Sequence, residues 1–378
     1  MSEVHIRQAR KGRGAVHNPE VRFESLFTVP FDDGWGTLDM EPPPPLKTAL
    51  WEDRAKTVIT RNQSPDIPFE QSFNPYRGCE HGCIYCYARP SHAFLGLSPG
   101  LDFETQLFRK ANAAQLLSKE LRKKNYKPKP ITIGSNTDPY QPVERTQKIT
   151  RDVLKVLSEF RHPAAIITKS ALVLRDLDLL ADLANDQLIM VVVSVTTLDA
   201  KLAHTMEPRA AAPHRRIETI RKLAGAGIPV SVNAAPMIPA LNDHELEQIM
   251  EAGVAAGARS AAYILLRLPH EVRDLFVDWL QAHFPDRAQH VMSLIRQARG
   301  GKDYVAEFGT RMRGTGAYAE LLRKRYHVAK ERLGLSGRSF DLNCQAFKVP
   351  PSPNDQHGAG PHGSDQHRGG QLSLFEDD

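Results

Sequence analysis

The sequence predicts an α/β protein built on a parallel sheet with right-handed crossovers. From residue 131 to residue 268, short apolar runs alternate with longer stretches whose apolar residues recur at helical spacing. A chain of 378 residues is long enough for one α/β domain of about 200 to 250 residues with extensions. Periodicity alone fits either a barrel or a doubly wound sheet.

Each predicted strand is a short apolar run bounded by polar residues, glycine or proline. The strands are predicted at 58–59, 131–134, 164–170, 188–196, 228–234 and 260–268. The helices between them are predicted at 111–124, 150–160, 172–184, within 208–226 and at 241–256. After residue 270 the pattern is helical, at 274–283, 287–298 and 320–333, so we expect a helical extension.

The composition excludes some classes of protein. No apolar stretch approaches the roughly 20 residues that span a bilayer, and the amino terminus has no apolar signal segment, so we expect no membrane segment. A net charge of +5 permits contact with nucleic acid but does not establish it. Four cysteines, three of them clustered, do not form a disulfide framework.

The three clustered cysteines lie in the segment 72–90, SFNPYRGCEHGCIYCYARP. Cys79, Cys83 and Cys86 form a C-x3-C-x2-C array, and three thiolates so close in sequence can converge on one metal centre. An iron–sulfur cluster held by three cysteines keeps one iron open for a ligand.

The spacing alone leaves two alternatives to an iron–sulfur cluster. One is a disulfide with a spare thiol. The other is a zinc site completed by Cys344, His81 or His92.

The array and its surroundings resemble the radical S-adenosylmethionine (SAM) superfamily. The hallmark of that superfamily is C-x3-C-x-Φ-C, where Φ is aromatic, and Tyr85 fills that position. The resemblance covers about residues 72–267. It implies a [4Fe–4S] cluster held by Cys79, Cys83 and Cys86, with SAM as the second cofactor. It also implies a partial (β/α)6 TIM-type barrel with the cluster at its top.

Polar residues at the strand ends are the predicted SAM contacts. By resemblance, Tyr85 lies near the adenine, and the stretch with Ser135 and Asn136 replaces the family's Gly-Gly-Glu-like motif, which contacts the methionine amino group. A cation beside a carboxylate and a hydroxyl or amide on a ribose suit this cofactor. Each further candidate is also explained as a hydrogen-bonded strand end. These candidates are Lys169, Ser194, Arg209 and Asn233.

Four regions are predicted along the chain. Residues 1–50 form an extended or disordered arm, residues 51–270 the barrel, residues 271–348 the helical extension and residues 349–378 a disordered tail. The turn 311–316 could present cations to an anionic substrate, although a solvated helix face explains its charge equally well. Cys344 could donate hydrogen to a substrate radical, but an ordinary buried thiol is the favoured interpretation.

The tail ends in QLSLF, which resembles the short peptide that binds bacterial replication and repair proteins to the DNA sliding clamp. Leu372, Leu374 and Phe375 would be its apolar anchors, flanking Ser373, and Gln371 would set the register by hydrogen bonding. A flexible tether that exposes apolar residues with nothing nearby to bury them needs a partner. The sliding clamp is therefore a predicted partner.

The predicted activity is that of a radical SAM enzyme, in which a reduced cluster cleaves SAM to a 5′-deoxyadenosyl radical that takes a hydrogen from the substrate. Thr137, Asp138 and the polar loop before them resemble the spore photoproduct lyase-like branch. That resemblance implies a nucleic-acid base as substrate, with DNA repair or modification as the outcome. The branch carries a hydrogen-donating cysteine in this loop, and the present chain has none there.

The resemblance also implies an electron donor such as flavodoxin or ferredoxin. An oxygen-sensitive cluster needs a reducing compartment, so we expect a cytoplasmic protein. Two alternatives stay open. One is a radical SAM enzyme that acts on a peptide or small metabolite, and the other is a non-catalytic zinc or iron–sulfur module that binds DNA or the clamp.

Overall fold

The computed structural model describes residues 11–23, 46–335 and 341–351. The chain divides into one compact unit, Met1–Lys348, and a second, Val349–Asp378, of which the structure describes 349–351. The peptide predicted at 371–375 therefore lies outside the described residues.

Seven strands form the main sheet, in the order β10-β9-β8-β7-β6-β3-β2. All neighbours from β10 to β3 are parallel, and β2 is antiparallel to β3. Among the described strands β10 and β2 do not pair with each other, so six parallel strands form the predicted partial (β/α)6 barrel. The strands of the described residues are β1 (Ala49–Glu52), β2 (Thr60–Arg61), β3 (Gln71–Phe73), β4 (Tyr76–Arg77), β5 (Gln106–Arg109), β6 (Ile131–Ile133), β7 (Ala164–Thr168), β8 (Ile189–Ser194), β9 (Val230–Met237) and β10 (Ser260–Leu265).

Helices separate the parallel strands, as predicted, and bury an apolar stripe against them. In α4, Val153, Leu154 and Leu157 recur at helical spacing and lie in the main core. The α-helices of the described residues are α1 (Leu101–Thr105), α2 (Ala113–Leu121), α3 (Glu144–Gln147), α4 (Ile149–Glu159), α5 (Leu177–Asn185), α6 (Ala200–Met206), α7 (Pro213–Gly225), α8 (Leu246–Ala255), α9 (Val272–His283), α10 (Pro285–Gln297) and α11 (Gly316–Arg332).

The first barrel strand is β3, and the prediction of a first strand at 58–59 was wrong. Val58 is buried, but its amide donates to Glu120 Oε1 (2.6 Å) and pairs with no strand. The apolar pair therefore packs on the core as a loop. Only the next two residues, Thr60–Arg61, pair with β3.

A second, three-stranded sheet has the order β1-β5-β4, with β1 parallel and β4 antiparallel to β5. The sequence pattern did not predict this sheet. In this sheet β1, where the predicted arm meets the barrel, pairs with β5, which follows the loop with the three cysteines. Strand β4, which precedes that loop, pairs with the other edge of β5.

The region after β10 is helical, as predicted. Helix α11 packs against α8 and β10, where Arg325 pairs with Glu247 (2.5 Å) and the Tyr326 hydroxyl donates to the Ala261 carbonyl (2.8 Å). The chain then returns to the amino ends of the barrel strands. There the Lys348 amide donates to the Phe160 carbonyl (3.0 Å), just before β7.

Among the described residues, no helix is both long and apolar enough to cross a membrane.

Candidate active site

The loop with the three cysteines begins directly after β4, close to the carboxyl end of β3. Gly78 and Gly82 have φ of +76° and +68°, a conformation that other residues rarely adopt. A Cβ on Gly78 would also lie 2.6 Å from Leu107 Cδ2. The Cys79 amide donates to the Phe103 carbonyl (2.9 Å), so the loop is tied to α1.

A fully buried ion pair fixes the middle of this loop. Arg89 Nη2 lies 2.5 Å from Glu104 Oε1, and Arg89 Nε donates to the Cys83 carbonyl (2.9 Å). Arg89 Nη1 donates to the carbonyls of Pro99 (3.0 Å) and Gly100 (2.8 Å). A buried ion pair is tolerated when hydrogen bonds satisfy its remaining polar atoms, as they do here. Arg89 therefore acts as a positioning residue for the cysteine loop.

Residues 11–23, which we call the amino-terminal strap, pack on the same loop. The amides of Gly14 (3.1 Å) and Ala15 (2.9 Å) donate to the Glu104 carboxylate. A Cβ on Gly14 would lie 1.8 Å from the Gly82 carbonyl oxygen, so the two backbones are in direct contact. The strap contains no helix or strand and lies within the predicted arm, residues 1–50. Its packing against the cysteine loop was not predicted.

Two of the three thiols of the loop are shielded from water, and Cys86 is half-buried. Cys79 and Cys83 are 7% and 8% exposed. Burial raises the pKa of both thiols, and the carboxylates of Asp138 beside Cys79 and Glu207 beside Cys83 raise it further. Thiols in such surroundings ionise only next to a compensating positive charge such as a metal centre.

Among the described residues, no group of three or more His, Cys, Asp or Glu side chains is placed so that it could hold a single metal ion. An iron–sulfur cluster binds its thiolates at separate irons, so the thiols need not meet at one point. All four cysteines are free, which leaves the disulfide alternative without support.

The residues considered as a fourth zinc ligand have other surroundings. His92 Nε2 lies 2.9 Å from the Gln106 carbonyl oxygen, and His81 Nδ1 lies 3.4 Å from Asp138 Oδ2. Cys344 lies at the opposite end of the barrel, since the neighbouring Asn343 amide donates to the carbonyl of Gln187, just before β8. This placement also removes Cys344 as a hydrogen donor at the cysteine loop.

Tyr85, the aromatic residue of the array, is held rigidly by a buried network. Its hydroxyl donates to Glu207 and lies 3.2 Å from Thr196 Oγ1. Arg216 forms an ion pair with Glu207 and donates to the Ser194 carbonyl (3.2 Å). Burial raises the pKa of Glu207, while Arg216 opposes that shift. The tyrosine ring is therefore fixed above β8 by a carboxylate that has its own counter-charge.

Two further side chains order the loop after β6. Asp138 accepts hydrogen bonds from Thr168 Oγ1 and the Lys169 amide, both at 2.7 Å, so it joins the loop to the end of β7. Asn74 Oδ1 accepts from the Asn136 amide (2.9 Å), which joins the loop to the end of β3. The carboxyl ends of three neighbouring strands are thereby tied together.

The structure gathers most of the predicted SAM contacts at this end of the sheet, where parallel α/β sheets bind ligands. Lys169 Nζ also lies 5.8 Å from the ring centroid of Tyr85. The strand-end residues are Ser135 and Asn136 after β6, Lys169 after β7, Ser194 at the end of β8 and Asn233 in register with it on β9.

Arg209 already has a carboxylate partner within the protein. It pairs with Glu80 (3.0 Å), which also accepts from Thr48 Oγ1 (2.6 Å). The Arg209 amide donates to the His81 carbonyl (3.3 Å), so the residue lies against the cysteine loop. Its charge is already compensated within the protein.

Two of the predicted contacts have unused polar groups that fit SAM. Asn233 Oδ1 is buried and has no hydrogen-bond partner. Lys169 has no carboxylate partner among the ion pairs of the described residues. A buried polar atom without a partner is costly, so a ligand with hydroxyl, amino and carboxylate groups would satisfy both residues.

The sequence did not single out Glu207, Arg216 or Glu104. Glu207 is a charged residue between Met206 and Pro208, directly after a helix. This position was the available signal. Arg216 lies in a segment with several other cations, so nothing local distinguishes it, and Arg89, three residues after Cys86, was not singled out either.

Comparisons with known proteins agree with this geometry. Residues 73–253 match the model of the radical SAM superfamily. An uncharacterized protein of Mycobacterium tuberculosis is 33% identical over 288 residues, which cover 75% of this chain and 81% of the relative. An uncharacterized protein of Methanocaldococcus jannaschii is 31% identical over 199 residues, which cover 53% of this chain and 71% of that relative.

Solved structures of spore photoproduct lyase share the fold. A point mutant of that lyase superposes with a TM-score of 0.56 at 14% identity, over 78% of this chain and 82% of the lyase chain. The lyase in complex with dinucleoside spore photoproduct gives a TM-score of 0.52 at 16% identity, over 75% and 78% of the two chains. From the matched residues, the open barrel and the cysteine loop at its top, we conclude that this chain belongs to the radical SAM superfamily.

Proposed function

We propose that this chain binds a [4Fe–4S] cluster through Cys79, Cys83 and Cys86, binds SAM at the adjoining strand ends, and acts on a base in nucleic acid. When bound, the two cofactors supply a one-electron reductive cleavage of SAM and abstraction of a hydrogen atom from the substrate. One observation carries the proposal: three free thiols, two of them buried, lie in one loop at the carboxyl end of an open parallel barrel.

The chain's own residues bind, orient and exclude water. Tyr85, fixed through Glu207, offers a rigid ring to an adenine. Lys169, beside the Tyr85 ring, offers a cation that forms no ion pair with a carboxylate of the described residues, and Asn233 offers a buried amide oxygen without a hydrogen-bond partner. The strap packs on the middle of the loop, with the Gly14 backbone against the Gly82 carbonyl, and so helps to hold the loop in one arrangement.

A nucleic-acid base is the proposed substrate because spore photoproduct lyase shares the fold over three quarters of this chain, and that lyase is known in complex with a dinucleoside photoproduct. The reaction itself should differ. The three clustered cysteines are the proposed ligands, and the remaining cysteine, Cys344, lies at the far end of the barrel. No thiol is therefore free to return hydrogen to a product radical, and base modification fits better than the reversal of a photoproduct.

The test is an anaerobic reconstitution with iron and sulfide, followed by reduction with dithionite, addition of SAM and measurement of 5′-deoxyadenosine. We expect cleavage that increases when DNA is added. Absence of 5′-deoxyadenosine from protein with a full complement of cluster would exclude radical SAM chemistry. An increase with a peptide extract or metabolite pool and none with DNA would make the peptide or metabolite alternative the leading one.

The proposal extends to partners. An electron donor such as flavodoxin or ferredoxin would reduce the cluster, which implies a reducing compartment such as the cytoplasm. We also propose that residues 371–375 tether the enzyme to the sliding clamp through Leu372, Leu374 and Phe375, so that DNA carrying the clamp is reached at high effective concentration.

The clamp proposal has its own test. The free peptide 368–378 should bind the purified clamp with a dissociation constant on the order of micromolar, because ordering a flexible segment offsets much of the gain from burying few side chains. The double change Leu374→Ala and Phe375→Ala should abolish that binding and leave SAM cleavage in solution unchanged. Failure of the wild-type peptide to bind at high micromolar concentration would remove the clamp as a partner.

A further inference from the structure

Arg267 stands at the mouth of the barrel, directly after the last strand. Leu266 and Leu268 on either side are buried in the core under α9 and α10, so Arg267 faces the opposite way, as alternation in an extended segment requires. Its guanidinium lies 5.1 Å from the ring centroid of Tyr87, the residue that follows Cys86. Tyr87 is 44% exposed, and its hydroxyl donates to the carbonyl of Ser135, at the end of β6.

Arg267 has only weak partners for its charge. Nη1 lies 3.6 Å from Met312 Sδ, and Nη2 lies 3.4 Å from the Tyr304 hydroxyl. Nε is buried and has no hydrogen-bond partner. No ion pair of the described residues includes Arg267, although strong guanidinium contacts in proteins are charge-assisted and short.

A second arginine nearby, Arg299, also forms no ion pair with a carboxylate of the described residues. Arg299 is 2% exposed and donates only to carbonyls, those of Leu266 (2.7 Å), Arg311 (2.8 Å) and Thr310 (3.1 Å) among them. Its Nε has no partner either. Burial lowers the pKa of Arg299 to about 10, and the positive charge of the neighbouring Arg267 contributes to that shift.

The carboxylates around this pair already have partners. Asp66 pairs with Arg311 (2.5 Å) and accepts from the Gly309 amide (2.7 Å). Asp303 is bound by Arg273 (2.9 Å) and a second arginine. The cations of the predicted turn 311–316 are thus partly used, since Arg311 closes the barrel edge through Asp66. Two adjoining guanidinium groups without a carboxylate are expensive to bury, and an anionic ligand would supply the missing charge.

We propose that Arg267, with the exposed ring of Tyr87 beside it, binds a phosphodiester group of a single nucleic-acid strand at the barrel mouth. This inference rests on the proposed function and names the chemical group that the same site takes. A planar guanidinium matches a phosphate oxygen pair, and an exposed aromatic ring beside it offers a surface on which a base can stack. A phosphodiester backbone supplies both groups at neighbouring positions.

The experiment compares Arg267→Gln with wild type and with Arg332→Gln. Arg332 is an exposed arginine on α11 paired with Glu251, so this control removes the same charge far from the mouth. The probes are a fluorescent oligothymidylate and the same oligomer with neutral methylphosphonate linkages, and binding is followed by anisotropy at several salt concentrations. Each protein is measured as the full chain, anaerobically, with and without reconstituted cluster.

We expect Arg267→Gln to weaken binding of the phosphodiester oligomer by tenfold or more, on the order of one charge-assisted contact. The slope of log affinity against log salt should fall by about 0.7. The methylphosphonate oligomer should bind weakly and equally to both proteins, and Arg332→Gln should resemble wild type. Equal affinity of wild type and Arg267→Gln for the phosphodiester oligomer would overturn the inference, as would an equal loss in Arg332→Gln.

Two measurements separate this result from other failures. Thermal unfolding should show that Arg267→Gln is at least as stable as wild type, because the change removes a poorly paired charge. Oligothymidylate should raise the unfolding midpoint of wild type and of Arg332→Gln by more than that of Arg267→Gln. SAM cleavage without DNA reports on the proposed function independently. Wild type that cleaves SAM but does not bind the phosphodiester oligomer would refute the inference and leave the SAM chemistry intact.

Discussion

At the carboxyl ends of the barrel strands the chain buries charges, whereas at the amino ends it buries rings. The first group includes Arg89, Glu104, Glu207 and Arg216, all beside the cysteine loop. At the amino ends, the Phe347 ring packs against Tyr126 in a tilted, His162 in an edge-to-face and Phe160 in a stacked arrangement, with centroid distances of 5.6, 5.5 and 6.3 Å.

The buried side chains at the two ends have different effects on the protein. Ring packing contributes to stability without needing exact partners, so it suits the end that only closes the fold. Buried ion pairs contribute little net stability, but they hold backbone and side chains in one arrangement. In a parallel barrel that arrangement is needed at the carboxyl ends, where ligands bind.

The largest expected effect is a difference between removing a thiol at the carboxyl ends of the strands and removing the thiol at their amino ends. Cys83→Ala should remove the cluster and with it the brown colour, because a ligand in a buried loop has no substitute. Cys344→Ala should retain iron and sulfide at wild-type levels, since this thiol lies at the amino ends of the strands. Iron analysis and visible absorbance of anaerobically purified protein test both. Stoichiometric zinc without iron in wild type would contradict the assignment.

The buried charges predict the next effect. Glu207→Ala leaves Arg216 buried without its partner, which should cost about 3 to 5 kcal/mol of unfolding free energy. The double change with Arg216→Met should recover much of that loss. Chemical denaturation of the apo chain measures both. A single variant as stable as wild type would show that the ion pair is not the constraint that holds Tyr85.

The ring-lined end should respond to pH instead. Burial lowers the pKa of His162 to about 4, against 6.5 in the unfolded chain. The unfolded state therefore binds the proton more readily, so stability present above pH 6.5 is lost as the pH falls towards 4. From pH 7.5 to pH 5 the loss should be roughly 2 kcal/mol. His162→Gln should flatten this part of the denaturation profile, and an unchanged profile would show that His162 is not the group responsible.

The smallest effect should come from the predicted SAM contacts. Ser194→Ala and Arg209→Ala should each weaken SAM binding by about tenfold or less, the range of one hydrogen bond, with cluster content unchanged. Arg209 should have the smaller effect because Glu80 already compensates its charge. Isothermal titration of reconstituted protein measures this. Unchanged affinity in both variants would place the SAM pocket elsewhere on the strand ends.

Local periodicity explains how much of the fold could be predicted. The strands from β6 to β10 are buried apolar runs, and helices such as α4 repeat their apolar residues, so both are visible in the sequence. The three-stranded sheet was missed because β4 has only two residues and β1 pairs with a strand more than 50 residues away. Neither leaves a local pattern.

The candidate site divides in the same way. Spacing and position in the sequence could predict that the cysteines and most of the strand-end polar residues lie at one end of the barrel. Glu207 and Arg216 could not be predicted in this way, because a buried charge is permitted only by a partner brought in by the fold. The strap was missed for a further reason: it binds Glu104 through the backbone amides of Gly14 and Ala15, and backbone groups carry no sequence signal.

The strap also constrains the order in which the molecule can be completed. Gly14 and Ala15 are synthesised before Glu104, which lies 90 and 89 positions later. Their two amides therefore wait without this partner until the cysteine loop and α1 have emerged and folded. A recombinant protein trimmed at the start of the barrel would lack these two amides, leaving the Glu104 carboxylate short of two donors beside Cys83. The sensible amino-terminal boundary for expression lies before Gly12, well upstream of the sheet.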